Sequence, residues 1–212
     1  VREASAIKWA PHNLLSYSSD FNNATWTKNS ASILGGSTVA PDGSLFTQLV
    51  NFASAATSRI YQAFTGTSGS FTFSFYVKHV SQTWLGIRLN DSSDPRFAWI
   101  NTESATAGTV QAGLSLNIES VGNGWTRYTV AVDSTTTTNY AMIYGVNGDG
   151  SISNVGTAGT AYVWGAHVYR SDLGGMVNNP ARGDSYVPTA ATAVYLPRQG
   201  QHIYDGASWV NK

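Results

Sequence analysis

The 212-residue chain carries twelve Lys+Arg and twelve Asp+Glu, so its formal net charge is zero. That balance argues against a nucleic-acid or acidic-membrane partner held through a basic face, and the length suits one domain with short extensions. Cysteine is absent, which excludes disulfides, Cys-ligated zinc and thiol catalysis.

Only 11% of residues are charged, against the usual ~25%. Ser and Thr, 25 and 22 residues, supply most of the polar surface instead. A 42% hydrophobic and 12% aromatic content is enough to fill a core. No apolar run approaches the ~18 residues of a membrane helix, so membrane insertion is not expected. The opening VREASAIKWA lacks the apolar stretch of a signal peptide.

Helical periodicity is nearly missing, and β-branched and aromatic residues dominate. In chain order, strands are predicted over 13–15, 25–33, 46–51, 59–64, 71–79, 84–90, 97–101, 114–120, 125–132, 140–146 and 161–169. Period-two alternation is strongest in FTFSFYVKH, where Phe71, Phe73, Phe75 and Val77 share one face. In WLGIRLN it sends Leu85, Ile87 and Leu89 inward and Trp84, Arg88 and Asn90 outward. Tyr128, Val130 and Val132 form an inward set in WTRYTVAV. The separators are turn-forming: Pro41-Asp42-Gly43, Gly66 to Gly69, Gly122-Asn123-Gly124 and Gly148-Asp149-Gly150. Residues 134–139 read as a polar connector. Many short amphipathic strands with turns between them predict an all-β sandwich of two antiparallel sheets. The sandwich is expected over 13–190, after an N-terminal linker at 1–12. Residues 170–190 read as a loop. Residues 191–212 add a short strand at 193–196 and a hairpin, HIYDGASWV, turning at Asp205-Gly206. That hairpin is too small to fold alone, so it packs on the sandwich, a following domain or a partner chain.

Chemistry-bearing constellations are sparse. His12, His79, His167 and His202 have no G-x-S-x-G elbow to serve. Asp91, Asp94 and Glu103 are the densest acidic group, but NDSSDPR is a turn-rich stretch where Asp serves backbone geometry. No catalytic residue is assigned. NGDGS at 147–151 has the Asn and Asp spacing of an oxygen-ligand calcium loop but lacks the following Glu, and reads as a turn. Neither a metal nor a cofactor is called. Arg182-Gly183-Asp184 matches a cell-adhesion tripeptide within a loop and is read as part of that loop.

Aromatic and polar residues on outward strand faces remain. Tyr76, Trp84, Trp99 and Tyr169 are predicted to point away from the core, with Arg88, Asn90 and His167 among them. A wet face of this kind suits sugar: pyranose C–H groups pack on the rings, and hydroxyls take hydrogen bonds from the neighbours. These seven residues are the candidate carbohydrate-binding set. The alternative is that the rings plug the sandwich or lie beneath the 170–212 segment.

Five pieces in order carry a resemblance. They are Asn13-Leu14-Leu15-Ser16-Tyr17-Ser18, Phe21 to Lys28 with its Trp26, FTFSFYVK at 71–78, VGNGWTRYTVAV at 121–132, and AYVWGAHVYR at 161–170 leading to SYVPT at 185–189. Together, over roughly 13–190, they resemble the carbohydrate-binding-module-like jelly rolls of tail and receptor-binding proteins of tailed bacteriophages. Two departures stand out: SDLGGMVNNPARGD lengthens the last loop, and His167 stands where Gln is frequent. The resemblance implies a jelly roll on a virion appendage, in a phage tail or spike acting at the host cell surface. It implies no cofactor and no catalytic residues. The expected partners are bacterial surface glycan, other virion proteins and copies of the same chain, a trimer by the habit of such appendages. The alternative function is a structural or assembly module of the tail or spike with no glycan ligand.

Overall fold

The computed structural model describes residues 9–66, 68–90, 95–171, 186–197, 202–204 and 209–211. They form a jelly-roll sandwich of two six-stranded antiparallel sheets. Across the first sheet the order is β10 (Leu114–Gly122), β11 (Trp125–Ser134), β6 (Gly69–His79), β13 (Gly159–Arg170), β4 (Gln48–Phe52) and β3 (Ala31–Gly35). Across the second it is β2 (Thr27–Asn29), β5 (Ser58–Thr65), β12 (Thr138–Val146), β7 (Trp84–Asn90), β8 (Phe97–Asn101) and β9 (Thr106–Val110). Two short ribbons flank the sandwich. β1 (Trp9–Asn13) pairs with β14 (Val194–Pro197), and β15 (His202–Tyr204) pairs with β16 (Trp209–Asn211).

The core lies between the sheets and is built by the alternation. Phe71, Phe73, Phe75 and Val77 of β6, Leu85, Ile87 and Leu89 of β7, and Tyr128, Val130 and Val132 of β11 join one buried cluster. Full burial of each such side chain is worth about 1.5–3 kcal/mol. Phe64 of β5 meets Phe71 of β6 at 5.5 Å between ring centroids, which ties the two sheets together at one end.

Three segments depart from the strand expectations. The stretch 25–33 is two strands, because Ser30 takes a φ of 46° and passes the chain from the second sheet to the first. Its carbonyl accepts from Ala53 N at 3.0 Å and from Ser58 Oγ at 2.7 Å, which holds the crossing. The strand expected at 13–15 instead ends at Asn13 and begins at Trp9, so a boundary at 12/13 cuts β1. Edge strand β9 has no counterpart in the expectation, since TAGTV carries no alternating apolar set.

The residues that carry the family resemblance meet at one place. Asn13 is fully buried, and its Nδ2 donates to Ala166 O at 3.1 Å and Val187 O at 2.7 Å. Its Oδ1 accepts from Leu15 N at 3.1 Å and Val168 N at 3.2 Å. Beside it, Ser18 O accepts from Ala166 N, and Ser18 Oγ accepts from Thr189 N. Ser18 Oγ also bonds the Tyr186 hydroxyl at 2.5 Å. These contacts surround a bulge in β13 at Gly165-Ala166, where the register to β6 shifts. Gly165 has a φ of 64°, and a Cβ there would sit 3.1 Å from the Tyr76 ring. Phe21 and Trp26 pack at a tilt with ring centroids 4.8 Å apart, and Trp26 Nε1 donates to Tyr17 O. Lys28 Nζ donates to the carbonyls of Phe21, Asn22 and Asn23. The shared motifs are therefore scaffold.

Two outcomes follow for stability. Asn13→Ala strands two carbonyls and two amides in the interior and lowers unfolding free energy by about 3 kcal/mol or more. Urea unfolding reads this, and a loss below about 1 kcal/mol would show that the knot is not needed. Burial pushes the Tyr128 hydroxyl up to about 12 from an ordinary value near 10, the Thr126 side chain pulling slightly the other way. Between these values the unfolded chain has lost its phenolic proton while the folded chain keeps it. Stability therefore falls as pH rises through that window. The Tyr128→Phe variant should be less sensitive to alkali than the native chain from pH 10 to 12, as read by thermal melts along a pH series.

Candidate functional site

The seven residues expected on one wet face fall on two opposite faces of the sandwich. Tyr76, His167 and Tyr169 lie on the outer side of the first sheet, in register rows that pair Tyr76 with Trp164 and His167 with Ser74. Trp84, Arg88, Asn90 and Trp99 lie on strands of the second sheet, and the side chain of Asn90 is outside the description. A single ligand cannot touch both sets.

Nor are the first three rings bare. Tyr76 and His167 have no exposed surface, and Tyr169 is 8% exposed. Tyr76 packs edge-on to Trp164 at 5.1 Å, and Tyr186 from the returning segment caps Trp164 at 4.7 Å. Burial raises the Tyr186 hydroxyl above its ordinary value, partly offset by its bond to Ser18. Trp125 donates from Nε1 to Val39 O, which brings the 36–45 loop over the same face. Alternation correctly sent these rings away from the main core. A second aromatic layer then covers them, so they are corrected from ligand contacts to structural residues.

The outer face of the second sheet is different in build. Its register sets side chains in rows across the strands. One row runs Thr27, Tyr61, Met142, Arg88 and Phe97, and the next runs Asn29, Arg59, Tyr144, Gly86 and Trp99. Tyr140 stands beside them. Phe97, Trp99, Met142 and Tyr144 are buried and form a floor. Phe97 stacks on Trp99 at 5.4 Å with 20° between planes, and meets Tyr144 edge-on at 5.2 Å. Above this floor Arg59, Tyr61, Tyr140 and Trp84 are half-buried. Tyr61 and Tyr140 meet edge-on at 6.1 Å. The Arg59 guanidinium lies 4.9 Å from the Tyr61 ring centre and 5.3 Å from that of Tyr144. Its Nη1 donates to the Tyr144 hydroxyl at 2.5 Å.

The far side of this face is walled by the 147–155 loop. Trp99 Nε1 donates to Ser151 O at 2.5 Å, and both carboxylate oxygens of Asp149 accept from Thr109. Trp84 lies under this wall: a Cβ on Gly108 would come within 2.8 Å of its ring. Trp84 is thus a rim residue and Trp99 a buried part of the floor, while Arg88 is 8% exposed and lies 5.8 Å from the Phe97 ring centre. Buried Asn154 anchors the loop by donating to Ala53 O at 3.0 Å, and buried Gln82 donates to Val146 O at 3.0 Å. Asp149 thereby ties the turn that NGDGS predicts to β9. Among the described residues no group of three or more His, Asp or Glu could hold a metal.

Of the acidic group, Asp91 and Asp94 lie outside the described residues, as does the Arg182-Gly183-Asp184 triplet. Glu103 is exposed in the turn after β8, where its N donates to Asn101 Oδ1. Arg59, Tyr61 and Tyr140 were not singled out from sequence. The available signal was the alternation of SRIYQAFT and TNYAMIYGV, which puts these residues on the same outward side as Trp84 once the strands are paired.

No protein-family model matches the chain, and neither does any curated protein. Solved structures are similar in fold. TmCBM61, a carbohydrate-binding module in complex with β-1,4-galactotriose, aligns at 10% identity and TM-score 0.48, over 74% of this chain and 98% of that one. The enzymatically active domain of tailspike protein 4 of bacteriophage CBA120 aligns at 16% and 0.43, over 74% of this chain and 21% of that one. A glycoside hydrolase family 43 arabinoxylan arabinofuranohydrolase from Bacillus subtilis, in complex with cellotetraose, aligns at 18% and 0.32, over 65% and 24%. At such identities and scores the likeness carries no argument, and function is argued from the residues of the face.

The Trp99→Phe variant keeps the stack on Phe97 but loses the bond to the Ser151 carbonyl. It should cost about 1 kcal/mol and raise amide exchange at 147–155. Unchanged exchange there would mean that Asp149, Asn154 and Gln82 fix the wall without the indole.

Proposed function

We propose that the chain is a non-catalytic carbohydrate-binding module that contacts bacterial surface glycan through the outer face of the second sheet. The observation that carries the proposal is the half-buried Tyr61, Tyr140 and Arg59 set on a buried aromatic floor. Rings held this way are ready for pyranose C–H packing at little entropic cost. Thr27, Asn29 and the guanidinium lie in the same rows and offer directional partners for hydroxyls. The neutral, hydroxyl-rich surface fits a partner recognised by shape and hydrogen bonds. With the motif resemblance, this reading places the module on a phage tail or spike, in the virion and acting at the host cell surface. Its further partners are other virion proteins and copies of itself, with a trimer as the proposed assembly. One ring contact is weak, and repeated display on such an appendage raises avidity by 10²–10⁴.

A second reading, an assembly module with no glycan ligand, draws on the β3 edge. Leu34, Leu45 and Phe46 are exposed there, beside a shallow depression of about 290 Å³. Uncharged edge strands pair readily with other chains.

Glycan-array binding by the oligomeric form tests the first reading. Tyr61→Ala and Tyr140→Ala should each weaken binding about 3- to 10-fold, with assembly unchanged. Undiminished host adsorption by the double variant would discard this face. Lost assembly in Leu45→Glu with Phe46→Glu, alongside an array that shows no glycan binding, would favour the assembly module.

A further inference from the structure

The six strands of the second sheet contain Lys28, Arg59 and Arg88 and not one Asp or Glu. The chain as a whole is balanced at twelve against twelve, so the acidic residues have been kept off this sheet. The three cations are not equivalent. Lys28 pairs opposite the core residue Ile60, and its ammonium is engaged by three backbone carbonyls of residues 21–23. Arg88 is nearly buried beside Phe97. Arg59 alone is half-exposed on the outer face.

The bonding of Arg59 is incomplete. A guanidinium has five N–H donors. One hydrogen bond is made, from Nη1 to the Tyr144 hydroxyl, and Nε, itself buried against the sheet, has no partner among the described residues. Its other contacts are the faces of Tyr61 and Tyr144, which hold the group in place without neutralising it. No carboxylate among the described residues pairs with it. Asp149, on the β9 side of the face, has both oxygens engaged by Thr109. A guanidinium held beside half-buried rings, on strands without acids, is suited to an oxyanion carried on a sugar.

We infer that the ligand is an acidic saccharide, its carboxylate or sulfate received by Arg59 while Tyr61 and Tyr140 pack against the sugar ring. This rests on the glycan-binding reading and narrows it to a substrate class. Charge-assisted bonds are about twice as strong as neutral ones, so the anion decides between otherwise similar polymers.

The test uses uronate-bearing and sulfated bacterial polysaccharides, each beside its carboxyl-reduced or desulfated form, titrated against the native chain, Arg59→Gln and Arg59→Lys. The native chain should bind an acidic polymer at least tenfold more tightly than its neutralised counterpart, and the gap should shrink with added salt. Arg59→Gln should bind both forms at the weaker level, and Arg59→Lys should fall between, keeping the charge but losing the planar fork. Thermal melts of the variants separate a lost contact from a lost fold. Loss on carboxyl reduction assigns a carboxylate, and loss on desulfation assigns a sulfate. Equal binding of charged and neutralised forms by the native chain overturns the inference while leaving the glycan-binding reading standing. If no polysaccharide of either kind is bound, the glycan-binding reading itself fails and the inference with it.

Discussion

The fold hinges on one buried carboxamide. Asn13 uses both donor positions of Nδ2 and accepts twice at Oδ1, and so joins the entering chain, the β13 bulge and the returning segment at Val187. Without it the bulge would present unbonded backbone groups to the interior. Asp would bring a charge to the same place and have no N–H to give. The bulge has a consequence of its own. Trp164 and His167 are three apart, so strict alternation cannot turn both outward, yet both lie on the outer side of the first sheet. The extra residue resets the phase, and Tyr186 then finds both rings within reach.

This explains why the motifs that mark the resemblance say little about a ligand. Asn13, Ser18, Trp26, Lys28, Trp125, Gly165 and Tyr186 are engaged with backbone or with one another. They constrain how a sandwich closes. The side chains open to a ligand sit on the other sheet, in strands whose sequences are less distinctive. A jelly roll can therefore keep its closure while the exposed face changes. Holding the 147–155 loop through Asn154, Gln82 and Trp99 serves the same division, because it ties one wall of that face to the strands.

The outward side of a strand is not the same as the wet side of a molecule. Both sheets carry aromatic residues on their outer faces, and on the first sheet a second layer buries them. Trp84 is intermediate, lying at the rim beneath Gly108 and Asp149. On the second sheet the outermost rings, Tyr61 and Tyr140, are left partly open because no described segment crosses them. Exposure thus depends on which loops fold back, and a loop's path is set by contacts distant in sequence, such as Ser18 with Tyr186.

The sequence alone determined the β class, most of the long strands and the alternating part of the core. Phe71, Phe73, Phe75, Leu85, Ile87, Leu89, Tyr128 and Val130 could be read directly because period two is a local property of the backbone. Compositional neutrality and the absence of cysteine were equally plain. Tertiary structure decided which outward residues share a face, since pairing β5 with β12 and β12 with β7 puts Arg59, Tyr61 and Tyr140 on one face with Trp84, which stands at the opposite end of β7 from the Asn90 that pairs with Tyr140. It also decided that Tyr76, His167 and Tyr169 are interior. Register and covering layers arise from contacts between residues tens to more than a hundred positions apart, and no local pattern records them.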